Sequence, residues 1–232
     1  MESHVRQSAL ASATHTAITL LLLAGFAYGV KVISVRIRAQ AIPNPSGLYL
    51  FVIVCEWIIF TFMLLGVRSR GVSTTAVLGP RWKSARNVFL DIGIAVAFWI
   101  VAAVCLWAFG TLLRVEKTVS DMHYIIPHGA SQLVLWVCFA VTAGVCEEAI
   151  FRGYLQTQFS VFMHSAPGGI GLSAILFGAC HLYQGARLAT MIALYGGLYG
   201  ILAYWRKSVR PGMIAHAWQD AMGGILSSIL KR

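Results

Sequence analysis

Charge is what this sequence has least of. Only 11% of its 232 residues are Asp, Glu, Lys or Arg, and eight of them are acidic. Soluble domains average about 25% charged and about 45–50% apolar residues. Here 58% are hydrophobic and the mean hydropathy is +0.75. A soluble fold of this length has too little interior for so much apolar surface, so an ordinary soluble enzyme is excluded. Other absences narrow the field further. There is no internal repeat, low-complexity tract, phosphate loop or dinucleotide fingerprint. The five cysteines, Cys55, Cys105, Cys138, Cys146 and Cys180, all lie in apolar stretches without CxxC spacing. They read as small buried hydrophobes, and neither a zinc ribbon nor a disulfide framework is supported.

What the chain does have is apolar runs of bilayer-spanning length, about 20 residues each. They fall at roughly 14–35, 48–66, 88–113, 131–150, 170–185, 187–205 and 211–230. The fifth and sixth lie almost end to end, so the expected fold is an all-α polytopic transmembrane bundle of about seven helices, six to eight. The first run, Ala17 to Val35, is broken only by Lys31 and exceeds a signal-peptide core, so it reads as a retained helix. Turn residues punctuate the rest. Pro43, Pro45 and Gly47 mark a tight turn, Gly71, Gly79 and Pro80 a basic loop, Pro127 and Gly129 the connection 114–130, and Pro167, Gly168 and Gly169 a break.

The formal net charge is +10. The basic residues sit between apolar runs, as Arg68, Arg70, Arg81, Lys83 and Arg86, and as Arg206, Lys207 and Arg210. That is a positive-inside pattern rather than a nucleic-acid footprint. Both clusters fit on the cytoplasmic side with the N-terminus inside, although Arg36 and Arg38 then fall outside.

The two halves differ. Residues 1–130 read as N-terminal transmembrane helices and loops, and 131–232 as the functional core. Between Ser131 and Trp205 only Glu147, Glu148, Arg152 and Arg187 are charged, and three of these lie within six residues. An ionisable group in a membrane helix costs about 2.5–3.5 kcal/mol at its centre and marks a functional site by default. On an α-helix Glu148 and Arg152 are four apart and face each other in the favoured order. Glu147, turned by about 100°, points elsewhere and is free to work. His181 closes the run Phe177-Gly178-Ala179-Cys180-His181, and His216 and Asp220 lie four apart on one face.

These elements, Glu147-Glu148…Arg152, Phe177…His181 and His216…Asp220, resemble the signature of the CAAX protease and bacteriocin-processing (CPBP) family. That signature is Glu-Glu-x-x-x-Arg, Phe-x-x-x-His and His-x-x-x-Asn/Asp on separate membrane helices. The flanks Phe151-Arg152-Gly153-Tyr154-Leu155-Gln156 and Gly212-Met213-Ile214-Ala215-His216-Ala217 are similar too. The resemblance covers roughly residues 130–230. It implies a glutamic intramembrane protease, related to type II CAAX prenyl endopeptidases, that uses no covalent nucleophile. Glu147 would be the general base on water and His181 would position that water. His216 and Asp220 would polarise the carbonyl, while Glu148 and Arg152 would fix the motif. Asp220 stands where family members often have Asn, and it either stabilises the oxyanion or orients His216. The implied substrate is a membrane-associated protein or peptide cut near its terminus, in the lipid bilayer, with no nucleic acid involved. The compact length and the lack of an organellar signal point to the bacterial inner (cell) membrane.

No cofactor is expected. Zinc is the alternative within hydrolases, because Glu147, His181, His216 and Asp220 are all possible ligands, although no His-Glu-x-x-His helix is present. A proton-coupled transporter would use intramembrane acids, with Glu56 and Asp91 as further candidates, but no repeated half with interrupted helices supports it. Glu56 and Asp91 read instead as interface or helix–helix hydrogen-bonding groups. A non-catalytic scaffold or immunity factor is the remaining class. His4, His15, His123, His128 and His164 read as incidental. Trp57, Trp99, Trp107 and Trp136 read as packing or lipid-facing groups, and Tyr195, Gly196, Gly197, Tyr199 and Gly200 as close helix packing.

Overall fold

The computed structural model describes residues 9–114 and 120–230; His4 and the middle of the connection 114–130 lie outside them. Among the described residues the protein is helical, without a strand. The helices are α1 (Ala13–Arg38), α2 (Ser46–Ser69), the single turn α3 (Thr75–Leu78), α4 (Ala85–Leu113), α5 (Gly129–Glu147), α6 (Gln156–Phe162), α7 (Ala166–Cys180), α8 (Ala186–Arg206) and α9 (Arg210–Leu230). A π-helical stretch, Glu148–Leu155, joins α5 to α6 without a break. Among the described residues, five helices are long and apolar enough to cross a membrane: α1, α2, α4, the continuous Gly129–Phe162 and α8. The helical bundle read from the sequence is therefore borne out, with three differences. α9, expected as a span at 211–230, is not among these five. The apolar run expected at 131–150 continues to Phe162, and the one expected at 170–185 is the shorter α7, ending at Cys180.

Local chemistry sets the ends. Ser12, Ser84 and Ser165 each accept a backbone N–H of the following turn, from His15, Asn87 and Gly168 respectively. This relieves donors that a helix N-terminus leaves unpaired. α7 stops at His181, and Gly185 at φ 96° opens α8, a conformation that glycine adopts without strain.

α4 is the outermost span, with 11% of its apolar window buried. Its Trp107 and Leu112 are 73% and 75% exposed, as side chains facing lipid would be. The most apolar window of Gly129–Phe162 is 56% buried, and this helix forms the axis of the bundle, with α2 and α9 packed on α5. Cys146 is buried as expected, whereas Cys138 is exposed on the outer face.

The two basic loops meet. Asp91 of α4 accepts from Trp82 Nε1 at 2.7 Å and from Arg206 at 3.1 Å. Arg210 lies 4.9 Å from the Trp82 ring centroid and donates to the Pro80 carbonyl. The clusters around Arg81 and around Arg206 thus share one end of the bundle, as the charge pattern required. Asp91 is an inter-helix pairing group, in line with the sequence reading. Arg38 is tied separately to Tyr124, stacking on the ring at 4.4 Å and donating to its hydroxyl at 3.1 Å.

His15 departs from expectation. Its Nε2 faces the Phe62 carbonyl at 3.1 Å, its Nδ1 faces the Tyr154 hydroxyl at 2.9 Å, and the ring stacks on Phe62. A carbonyl only accepts, so Nε2 carries the hydrogen and Nδ1 accepts from Tyr154. Gln158 adds bonds to Leu10, Ala11 and Thr16. Together these clamp the start of α1 to the π segment and α6. His15 is structural, not incidental.

Candidate active site

The Glu147–Arg152 motif lies where the axial helix changes from α to π. Gln156 N–H bonds the carbonyl of Phe151, five residues back, and Ser173 Oγ of α7 donates to that same carbonyl at 2.7 Å. The sequence suggested an ordinary α-helix here. The π stretch is buried along its whole length, and π turns inside α-helices concentrate at functional sites. Both carboxylates of the adjacent pair reach one ring. His216 Nδ1 lies 3.0 Å from Glu148 Oε1, and Nε2 lies 3.6 Å from Glu147 Oε2 and 3.5 Å from Asp220 Oδ2. Because a carboxylate accepts, Nδ1–H donates to Glu148, and Nε2 is the edge that faces the other two acids.

Glu148 and Arg152 are each 1% exposed at the side chain and 3.1 Å apart. The contact is a single one rather than a two-pronged grip. Neither terminal nitrogen of Arg152 makes a well-directed hydrogen bond. Instead the guanidinium is boxed by rings, 4.1 Å from the centroid of Phe177, 5.3 Å from Tyr199 and 5.9 Å from Phe151. Cation–π attraction gains strength when water is excluded. Phe177 therefore has a physical task in the Phe177…His181 element, since its ring caps Arg152. Its carbonyl also takes His181 Nδ1 at 2.8 Å. That bond fixes the tautomer and leaves Nε2 of His181 as an acceptor.

Small residues make the approach possible. A Cβ on Gly212 would stand 3.1 Å from Glu148 Oε2 and 3.3 Å from the Tyr199 ring, and one on Gly196 would stand 3.3 Å from Arg152. Trp136 Nε1 donates to the Asp220 carbonyl at 2.9 Å, binding α5 to α9 at the level of the acids.

Glu147, His181, His216 and Asp220 border one cavity of about 500 Å³. Most of its wall is apolar, including Leu23 and Phe26 of α1, Val52 of α2 and Ile192 of α8. Such a chamber suits a ligand with a large apolar part and a few polar groups at one end. Glu148 and Arg152 lie behind this wall, against His216. Glu56 of α2 is also in the wall, although its sequence context reads as that of an interface or helix–helix hydrogen-bonding group. A lone acid in an apolar helix looks the same whether it pairs with a neighbouring helix, as Asp91 does, or faces a chamber. Among the described residues no three His, Cys, Asp or Glu side chains converge as a metal nest.

A helical membrane bundle with acids and histidines gathered on one mostly apolar cavity is the class of protein these observations define. Residues 129–222 match the family model described as type II CAAX prenyl endopeptidase Rce1-like. The match covers about two-fifths of the chain and contains every residue of the three motifs, so the CPBP resemblance is borne out over this stretch. That family is one of proteases. No curated protein and no solved structure matches the chain.

Proposed function

We propose that this protein is an intramembrane endopeptidase that hydrolyses a peptide bond near the terminus of a membrane-associated protein or peptide. The observation that carries this reading is the placement of His216 between Glu147, Glu148 and Asp220 on the wall of a mostly apolar cavity. Glu147 is the one glutamate of the pair that fronts the cavity, so it is the base. Its carboxylate takes a proton from water as the water oxygen bonds to the peptide carbonyl carbon, and the carbonyl electron pair moves onto oxygen. His216, with Nδ1–H committed to Glu148, offers Nε2–H as imidazolium to that oxyanion. Donors preorganised in a site of low dielectric are worth far more than the same donors in water. His181 Nε2 accepts from the attacking water and holds it. When the intermediate collapses, the C–N bond breaks and the proton on Glu147 passes to the departing amine. Asp220 faces the Nε2 edge of His216 at 3.5 Å, and Glu148 with Arg152 sets the ring plane.

The test compares protein termini in membranes of cells carrying wild type or Glu147→Gln at matched expression. New termini that appear only with wild type establish proteolysis and name the substrates. Loss of a positioned base costs about 10²–10⁴-fold, so Glu147→Gln is expected to remove them. Repeating the assay with a chelator separates glutamate-activated water, which is insensitive, from water on zinc, which is lost. Identical termini in the two membranes would defeat the reading.

A further inference from the structure

Helix α2 presents Val52, Glu56 and Ile59 to the cavity, at spacings of four and three that fall on one helical face. Glu56 is 2% exposed, and neither of its carboxyl oxygens receives a hydrogen bond. The titratable groups around it are Glu147 and Cys146 of α5 and His216 and Asp220 of α9, with Cys55 next to it on its own helix. Of these, Glu147 borders the same cavity as Glu56. Trp57, the next residue, donates to Thr142 Oγ1 of α5 at 3.3 Å and holds the two helices together at this level.

Counting charges sharpens the point. Glu56, Glu147, Glu148 and Asp220 put four carboxyl groups in one region, with Asp220 the most accessible at 27%, against Arg152 and His216. Arg152 is engaged by Glu148, and His216 by Glu148, Glu147 and Asp220. Among the described residues no ion pair includes Glu56. A buried charge left unpaired is strongly unfavourable, and two adjacent carboxyls in such a place share one proton.

We propose that Glu56 holds this proton and donates it as a hydrogen bond to Glu147, so that the two act as one acid–carboxylate pair. Glu56 is then a positioning residue, and the inference rests on the role given to Glu147 above. The bond occupies one Glu147 oxygen and keeps the other charged and turned towards water. When Glu147 takes the water proton, none leaves the pair, and the same proton later goes to the amine. Glu56 keeps its own throughout.

Infrared difference spectroscopy of the purified full chain in lipid nanodiscs at pH 7 tests this directly. Wild type is expected to show the C=O stretch of one buried carboxylic acid. That band should be absent from Glu56→Gln, an isosteric change. It should persist at a shifted frequency in Glu147→Gln, where the acceptor becomes an amide. In the termini assay, Glu56→Gln should lower the yield of new termini by roughly tenfold or more. A wild-type band that survives Glu56→Gln, or that Glu147→Gln leaves unmoved, overturns the pair even if Glu147 proves essential for cleavage. The predicted bands without any wild-type-specific termini would uphold the pair and defeat the proteolytic reading instead.

Discussion

His216 Nδ1 lies 3.0 Å from Glu148 Oε1, so the histidine is oriented by the second glutamate of the pair, across two helices. Asp220, one turn along its own helix, faces the other edge of the ring at 3.5 Å. Glu148 therefore has two partners, Arg152 and His216, on the same oxygen. Replacing it by glutamine keeps the shape and an acceptor but removes the charge that Arg152 and the His216 ring both face. Glu148→Gln is expected to lower kcat for the cleaved substrate by about a hundredfold, within the range lost when an acid–base partner is misplaced. KM should stay near the wild-type value, because Glu148 lies behind the cavity wall. A change confined to KM would show that Glu148 contacts substrate instead.

Arg152 separates charge from shape. Alanine at this position leaves Glu148 buried without its cation, and removal of one partner from a buried pair costs about 3–5 kcal/mol. Lysine keeps the charge but lacks the flat guanidinium that fits among Phe151, Phe177 and Tyr199. Arg152→Lys should cost about 1–2 kcal/mol, and thermal unfolding in detergent should rank wild type above lysine above alanine. If lysine were as damaging as alanine, the ion pair would matter less than the ring box.

Much of this site could be read from spacing alone. The Glu148–Arg152 pair four residues apart, the Phe177…His181 element and the His216…Asp220 element all sit together in the bundle. What spacing could not carry is whatever depends on a neighbour far along the chain. Phe151 gives its carbonyl to Ser173, and the local helix is π rather than α. Nothing in Glu147–Leu155 itself announces that change. Glu56 and Asp91 are equivalent as sequence, each a single acid in an apolar run. One meets a tryptophan and an arginine, and the other a cavity. His15 looked incidental because it lies near the start of α1, while its partners Phe62 and Tyr154 belong to other helices.

Two glycines test how tightly the acid pair is built. A methyl group at Gly212 would press on Glu148 Oε2 and Tyr199, whereas one at Gly93, on the exposed face of α4, meets nothing within 4 Å. Gly212→Ala is expected to cost about 1–3 kcal/mol through overpacking. Gly93→Ala should be neutral or gain up to about 1 kcal/mol from helix propensity. Cleavage should fall with the first and stay unchanged with the second. Equal effects would mean that the close approach at Gly212 is not what holds Glu148 in place.

The junction of the two basic loops hangs on Asp91, buried at 5% exposure, whose oxygens are divided between Trp82 and Arg206. Asp91→Ala removes both acceptors and leaves the Trp82 N–H unpaired, at a cost of about 1–3 kcal/mol. Asp91→Asn keeps an acceptor for Trp82 and should lose only about 1 kcal/mol, the share due to the charged bond with Arg206. Arg206 is more exposed, with 27% of its side chain accessible, so Arg206→Ala lets water reach that side of Asp91 and should fall between the two. A double-mutant cycle of Asp91→Ala with Arg206→Ala isolates the pair, and contacting residues couple by about 0.5–3 kcal/mol. Additive losses would show that α4 and α8 are held by packing alone and that the shared end of the bundle needs no ion pair. A coupling within that range, with cleavage unaffected, would identify Asp91 as an acid that serves the fold.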